Sequence, residues 1–208
     1  MARKADPTKK DTIITAAISV FSRKGYAAAR MVDVALAAGI GKGTIYEYFP
    51  SKEALFFATF EHLMTQTNGQ MEVLAAAGAG SAAHRLAAMA DAVLEAWLPQ
   101  LDLYGLVLEF WSAATTSPQR LRFKTAFQRA YADFRRTVAA LIQSGKESGE
   151  FHSREDAGKL AAALIGSWDA LLLQAWLDPD FDPLAASRSH MAVVCRGLEH
   201  PFDSEEQS

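Results

Sequence analysis

A chain of 208 residues that is 50% apolar and 22% charged has the hydrophobic content to bury a real core, which excludes a mostly disordered polypeptide. Its one cysteine, Cys195, excludes an intrachain disulfide, and no uncharged run of about 18 residues marks a membrane span, so a soluble protein of the reducing cytoplasm is expected. The net charge of −3 conceals an asymmetry: residues 1–52 hold nine Lys and Arg against four Asp and Glu, the remainder twelve against twenty, so a polyanion is drawn to the N-terminal quarter.

No stretch alternates with period two, whereas apolar residues recur at helical spacing throughout. The expected fold class is therefore all-α, with about nine helices. A basic arm over residues 1–10 (Arg3, Lys4, Lys9, Lys10) leads into a first helix, about Thr8 to Lys24. Its apolar face is Ile14, Ala17, Ile18 and Phe21, and Gly25 stands where a left-handed cap would sit. A second helix, about Met31 to Ala38, stops at Gly39. A third follows within two or three residues and is closed by Pro50. Ser51 then caps a long fourth helix through Leu55, Thr59 and Leu63.

The Ala and Gly run from Ala75 to Ala83 reads as a joint between helices. A stripe of Leu86, Met89, Ala90, Val93, Leu94 and Trp97 follows, ended by Pro99, and then a helix of about Leu103 to Ala114. Thr116-Ser117-Pro118 supplies a cap and a proline suited to a first helical turn. The next long helix carries Phe123, Phe127, Tyr131, Phe134, Val138 and Leu141 on one side, with Gly145 and Gly149 loosening its end. Ser153 opens a helix of about Arg154 to Leu177, and the last helix spans about Pro183 to Leu198. Residues 201–208 read as a disordered tail. The Arg154–Leu177 segment is apolar around so much of its circumference that two sides must be covered. A second copy of the chain is the economical cover, so a homodimer through the last two helices is expected.

The stretch from Val34 to Tyr46 has the anatomy of a helix-turn-helix. Ala35 and Ala38 are small enough for two helices to approach, Gly39 turns the chain, and Ile40 plugs the angle between them. The helix after the turn is too short to exist for core burial alone. It offers the Lys42 ammonium, the Thr44 hydroxyl and the phenols of Tyr46 and Tyr48 to a nucleic acid, while Ile45 and Phe49 point inward. From about Ala16 to Leu55 the chain resembles the tetracycline-repressor (TetR) family of regulators, and GIGKGTIYEYFPSKEAL, Gly39 to Leu55, is similar to that family's signature nearly residue for residue.

The resemblance implies a DNA-binding domain at 1–52 and a helical ligand-binding and dimerisation domain at 53–200. It implies a regulator, usually a repressor, released from double-stranded operator DNA by a small-molecule effector. Helix three would enter the major groove with Lys42, Gly43 and Thr44 near base edges or phosphates, while Tyr46, Tyr48 and Lys52 would grip the backbone. Two positions depart from the pattern. Ala29-Arg30 replaces the family's Thr or Ser at the start of helix two, so Arg30 would pair with phosphate while the hydroxyl cap is lost, at about 1 kcal/mol. Gly41 replaces a frequent Ser. Glu47 either accepts from a cytosine amino group or stays solvated, and solvation is the favoured reading.

Beyond residue 53 the middle helices carry more large amphipathic groups than a plain core needs: Trp97, Tyr104, Phe110, Trp111, Phe127, Tyr131 and Trp168. With Glu109, Gln128 and Asp169 as polar anchors, these are the candidate pocket for a largely apolar or aromatic ligand, a cationic one included, since Trp faces and carboxylates both favour cations. No cofactor and no metal are expected, because the five histidines show no metal spacing and no Glu-x-x-His is present. The Gly41-Lys42-Gly43-Thr44 run lacks the order of a phosphate loop, and Cys195 lies in an apolar helical run. An all-α enzyme is accordingly a weaker reading than a regulator. A ligand-independent DNA-binding protein is the other alternative, separated from the first by whether any small molecule releases DNA.

Overall fold

A computed structural model of the protein describes residues 7–77 and 80–200; Arg3 and Lys4 of the basic arm and the tail 201–208 lie outside them. Among the described residues the chain is all-α, with nine α-helices, one 3₁₀ segment and no strand. The helices are α1 (Pro7–Ala28), α2 (Met31–Ala37), α3 (Lys42–Tyr48), α4 (Lys52–Ala77), α5 (Ala82–Trp97), α6 (Tyr104–Thr116), α7 (Arg120–Glu147), α8 (Ala157–Leu177) and α9 (Pro183–Glu199). The 3₁₀ segment, Leu98–Leu103, joins α5 to α6 around Pro99. Two compact units result. One holds the residues up to Gln66 with Asp102–Gln128; the other holds Thr67–Leu101 with the residues from Arg129 onward.

The N-terminal unit is built on a cluster of phenylalanines. Phe56 and Phe60 of α4 lie 4.7 and 5.2 Å, ring to ring, from Phe110 of α6, and 5.9 and 5.6 Å from Phe123 of α7. Phe21 of α1 meets Phe56 edge to face at 5.4 Å. Such tilted and edge-on pairs place the positive ring edge against a negative ring face, adding to the gain from burying the rings. Phe110 is fully buried here, so this candidate ligand residue is core, and α6 belongs to the unit that carries the helix-turn-helix.

In the C-terminal unit α5 packs against α8 and α9, and α8 against α9. The joint expected over Ala75–Ala83 is shorter than the composition implied, because α4 continues to Ala77 and α5 begins at Ala82 behind its cap Ser81, whose hydroxyl accepts from His84 N. Alanine is the best helix former, so a run of it extends both ends. A second difference lies at α8, which opens at Ala157 with Asp156 as its cap; Ser153 instead accepts from Glu155 N before the helix starts. Gly145 does not loosen α7. A Cβ there would collide with the Phe151 ring and lie 2.8 Å from the Ala82 side chain, so the missing side chain lets the chain fold back on α7. By length and composition α8 could cross a membrane, yet Asp169 sits mid-helix and Trp168 and Leu172 are buried within this unit.

Candidate nucleic-acid interface

The head of the N-terminal unit is assembled from α1, α2 and α3. α2 ends at Ala37, and Gly39 turns the chain at φ +66°, a left-handed conformation that only glycine adopts without strain. Ile40 N returns to Ala35 O at 2.9 Å and closes the turn. Val34, Ala35 and Ile45 are buried, so α3 is held to α2 by its inward face alone. The other face of α3 looks outward: Lys42, Gly43, Tyr46 and Glu47 are exposed, Tyr46 at 45%, while Thr44 and Tyr48 are half-buried at its flanks. Nothing lies within 4 Å of a Cβ placed on Gly43, so internal packing does not require glycine there.

Arg30 is exposed in extended backbone at the N-cap of α2, where a guanidinium is free to reach a phosphate. Its neighbour in the motif is Asp33, which the sequence reading passed over. The Asp33 carboxylate accepts from Arg30 N at 3.0 Å and pairs with Lys24 Nζ at 3.1 Å. The Lys24 bond, followed by the Arg30 amide, holds the Asp33 carboxyl below its usual range. The hydroxyl cap is absent, as expected, but half of a capping box survives. A carboxylate three residues past the N-cap was the available signal.

Lys52 differs from the expectation. Its ammonium donates to Tyr26 O at 2.7 Å, Ala27 O at 3.2 Å and Ala29 O at 3.0 Å, and it lies 4.4 Å from the centroid of the Tyr26 ring. An ammonium has three N–H donors, and all three are spent on the turn from Tyr26 to Ala29, which follows the break that left-handed Gly25 (φ +72°) makes near the end of α1. Lys52 therefore staples that turn and leaves the set of side chains free to grip phosphate. The turn is further anchored by Glu109 of α6, whose two oxygens accept from Tyr26 N at 3.0 and 2.9 Å. Burial, and then the charge and hydrogen bond of Glu53, push the Tyr26 phenol up to about 12, so it stays protonated.

The candidate pocket residues are divided between the two units. Tyr104, Glu109, Phe110, Trp111 and Phe127 belong to the N-terminal unit; Trp97, Tyr131, Trp168 and Asp169 belong to the other. Tyr104 and Trp168 are each 3% exposed, and Trp111 meets Phe127 edge-on at 6.5 Å. In the C-terminal unit the Tyr131 hydroxyl donates to Asp169 Oδ2 at 2.6 Å. Burial pushes the Asp169 carboxyl above its usual range, against the lowering effect of that bond. Trp168 Nε1 is buried without a hydrogen-bond partner. No group of three or more His, Cys, Asp or Glu suited to a metal occurs among the described residues, and burial raises the Cys195 thiol above its ordinary value.

A short helix clamped on one face and open on the other, carrying a cation, a phenol and a bare glycine, defines a helix-turn-helix DNA-binding regulator. Two family models match the chain: bacterial regulatory proteins of the tetR family over residues 13–59, and the C-terminal domain of BetI-type transcriptional repressors over residues 82–200. The protein belongs to the TetR family, and it is a regulator rather than an enzyme. A transcriptional repressor of Pseudomonas putida, NicS, is 39% identical over 67 residues, which is 32% of this chain and 31% of that protein. The first curated relatives it matches share 22% to 33% of their own length with it.

Among solved structures, a TetR regulator from Haloarcula marismortui superposes with a TM-score of 0.81 at 20% identity, over 93% of this chain and 99% of that one. A transcriptional regulator from Saccharomonospora viridis, solved in complex with choline, gives 0.74 at 24% identity, over 94% and 98%. At these identities the likeness establishes the fold.

Proposed function

We propose that the protein is a homodimeric repressor that binds an operator through α3 and leaves it when a small effector binds. The observation that carries the reading is the outward face of α3, where Lys42, Gly43 and Tyr46 are exposed on a helix whose inward face is fully used. Arg30 and Lys42 supply charge for phosphates, Thr44 and Tyr48 flank the contact, and Gly43 permits close approach of backbone to DNA. Dimerisation falls to α8 and α9. The exposed side of α8 includes Ala162, Ala163, Gly166, Ala170 and Leu177, and that of α9 includes Ala185, Ser189, Ala192 and Val193, with Arg196 at its end. The small and apolar side chains suit close helix packing against a second copy.

For the effector, Tyr131, Trp168 and Asp169 with Trp97 are the favoured contacts. Trp168 Nε1 is a buried donor with no partner, and leaving such a group unpaired costs about 1–3 kcal/mol that an acceptor on a ligand would recover. A largely apolar molecule with one acceptor fits that chemistry. The choline complex of the solved neighbour is consistent with a small-molecule site in this fold. Release then follows as a population shift, which requires the effector to prefer the state that cannot bind operator. A cytoplasmic location follows from contact with chromosomal DNA.

Selection of bound sequences from random duplex DNA tests the reading. The expected site is two inverted half-sites about one helical turn, ~34 Å, apart. Lys42→Ala and Tyr46→Ala lower its affinity while the fold is kept, and some hydrophobic small molecule releases it. A monomeric protein in sedimentation, or enrichment of no sequence, overturns the proposal. Operator binding that no molecule in a broad effector screen relieves favours the ligand-independent alternative.

A further inference from the structure

The N-terminal unit contains a groove of about 610 Å³ bounded by the turn at the end of α1, the start of α4, α6 and the start of α7. That volume falls within the range of small-molecule sites, roughly 300–1,000 Å³. Its walls are aromatic where Tyr26, Phe56 and Phe123 line it, and beside the hydroxyls of Ser112, Thr116 and Ser117 and the amide of Gln119 its charged groups are two carboxylates, Glu53 and Glu109. Gln119 Oε1 is buried without a hydrogen-bond partner. None of the twelve lining residues is Lys, Arg or His. Lys52 lies over the Tyr26 ring, with its three donors spent on backbone carbonyls.

We infer that this groove is a binding site for an aryl-alkyl ammonium ion with N–H donors, separate from the effector contacts proposed in the C-terminal unit. A carboxylate has room for about four hydrogen bonds, and Glu109 receives only the single Tyr26 N–H, shared between its two oxygens, so it keeps acceptor capacity for a ligand. Glu109 and Gln119 together would take a primary or secondary ammonium, and the aromatic walls would take the ligand's ring and face its charge. A quaternary ammonium has the charge but no donors, and an alcohol has a donor but no charge. The site touches the turn that Lys52 staples, so the Tyr26 amide reports its occupancy directly.

Titration calorimetry on the full-length protein tests this with 2-phenylethylammonium, 2-phenylethanol and benzyltrimethylammonium. The primary ammonium is expected to bind about tenfold or more tightly than either of the others, the scale of a hydrogen bond to a charged group. Its binding should move the Tyr26 amide resonance. Gln119→Leu is expected to weaken it severalfold, and Ala113→Trp, which fills the groove, to abolish it; both leave Glu109 in place to hold Tyr26. Glu109→Gln should weaken it further if that variant folds. Equal affinity for the three probes, or unchanged affinity in folded Gln119→Leu and Ala113→Trp, overturns the inference. Loss of affinity in Trp168→Phe instead would place the ligand in the C-terminal unit, against this site and in favour of the effector contacts proposed there.

Discussion

At position 43 the protein carries a glycine that its own packing does not need. A Cβ would meet nothing within 4 Å, and glycine in a helix is less favourable than alanine by about 0.5–1 kcal/mol, less in a first turn. A residue that weakens its own helix and touches nothing inside the molecule is explained by what approaches from outside. Gly43→Ala is therefore expected to raise the melting temperature slightly and to lower operator affinity about tenfold, the scale of one lost specific contact. Parallel melting curves and gel-shift titrations check it; a tightened or unchanged complex contradicts the reading. Lys52 gives the opposite pattern. Lys52→Met strips three carbonyls of their donor and should cost about 1–3 kcal/mol of stability. Well below its melting temperature, operator affinity should hold within about threefold, because the ammonium is committed to Tyr26, Ala27 and Ala29.

Among elements, the beginnings of helices separate what the sequence made legible from what it did not. α3 was readable because Gly39, Ile40 and Pro50 act on their own backbone neighbours, and α4 because Ser51 accepts from Ala54 N, three residues away. The start of α5 was legible only in part: Ser81 caps it locally, but a second partner comes from 68 residues along the chain. Glu150 accepts from Ala82 N and from Ala83 N at 2.8 Å, filling two of the amides a helix start leaves open. The candidate pocket was hidden for the same reason: periodicity shows that Phe110 and Trp168 face inward, but not that they fall in different units. Burial raises the Glu150 carboxyl, but the Ala83 and Ala82 amides outweigh it and hold it below its ordinary 4.5. A folded value below the unfolded one gives stability that is complete above the unfolded value and fades as pH falls through the folded one. Glu150→Gln is thus expected to cost about 1 kcal/mol at neutral pH. The gap to the native protein should narrow as pH falls below that ordinary value in urea titrations, and a gap constant with pH rules out the carboxylate as its source.

For the whole molecule, the division of charge decides how the protein meets DNA. A chain with net charge −3 is repelled by DNA on average, so binding must come from the basic segment before residue 53 acting locally. Arg30 and Lys42 are exposed on the head, and Lys9 and Lys10 lie on the first turn of α1. If each subunit neutralises about four phosphates, the logarithm of the dimer's operator affinity falls against the logarithm of salt concentration with a slope of about −7. Lys42→Met removes one contact on each subunit and should reduce that slope by about 2, lowering affinity for operator and for random DNA alike at low salt. Lys52→Met should leave the slope unchanged. Glu47, exposed on the same helix, has no such ionic contact to lose, so Glu47→Gln should shift affinity without shifting the slope. Fluorescence anisotropy across about 50 to 200 mM salt resolves these differences, because eight contacts change affinity over that interval by about four orders of magnitude. A slope near zero, or one that Lys52→Met reduces as much as Lys42→Met does, would show that the charges identified on α3 are not those that meet the phosphates.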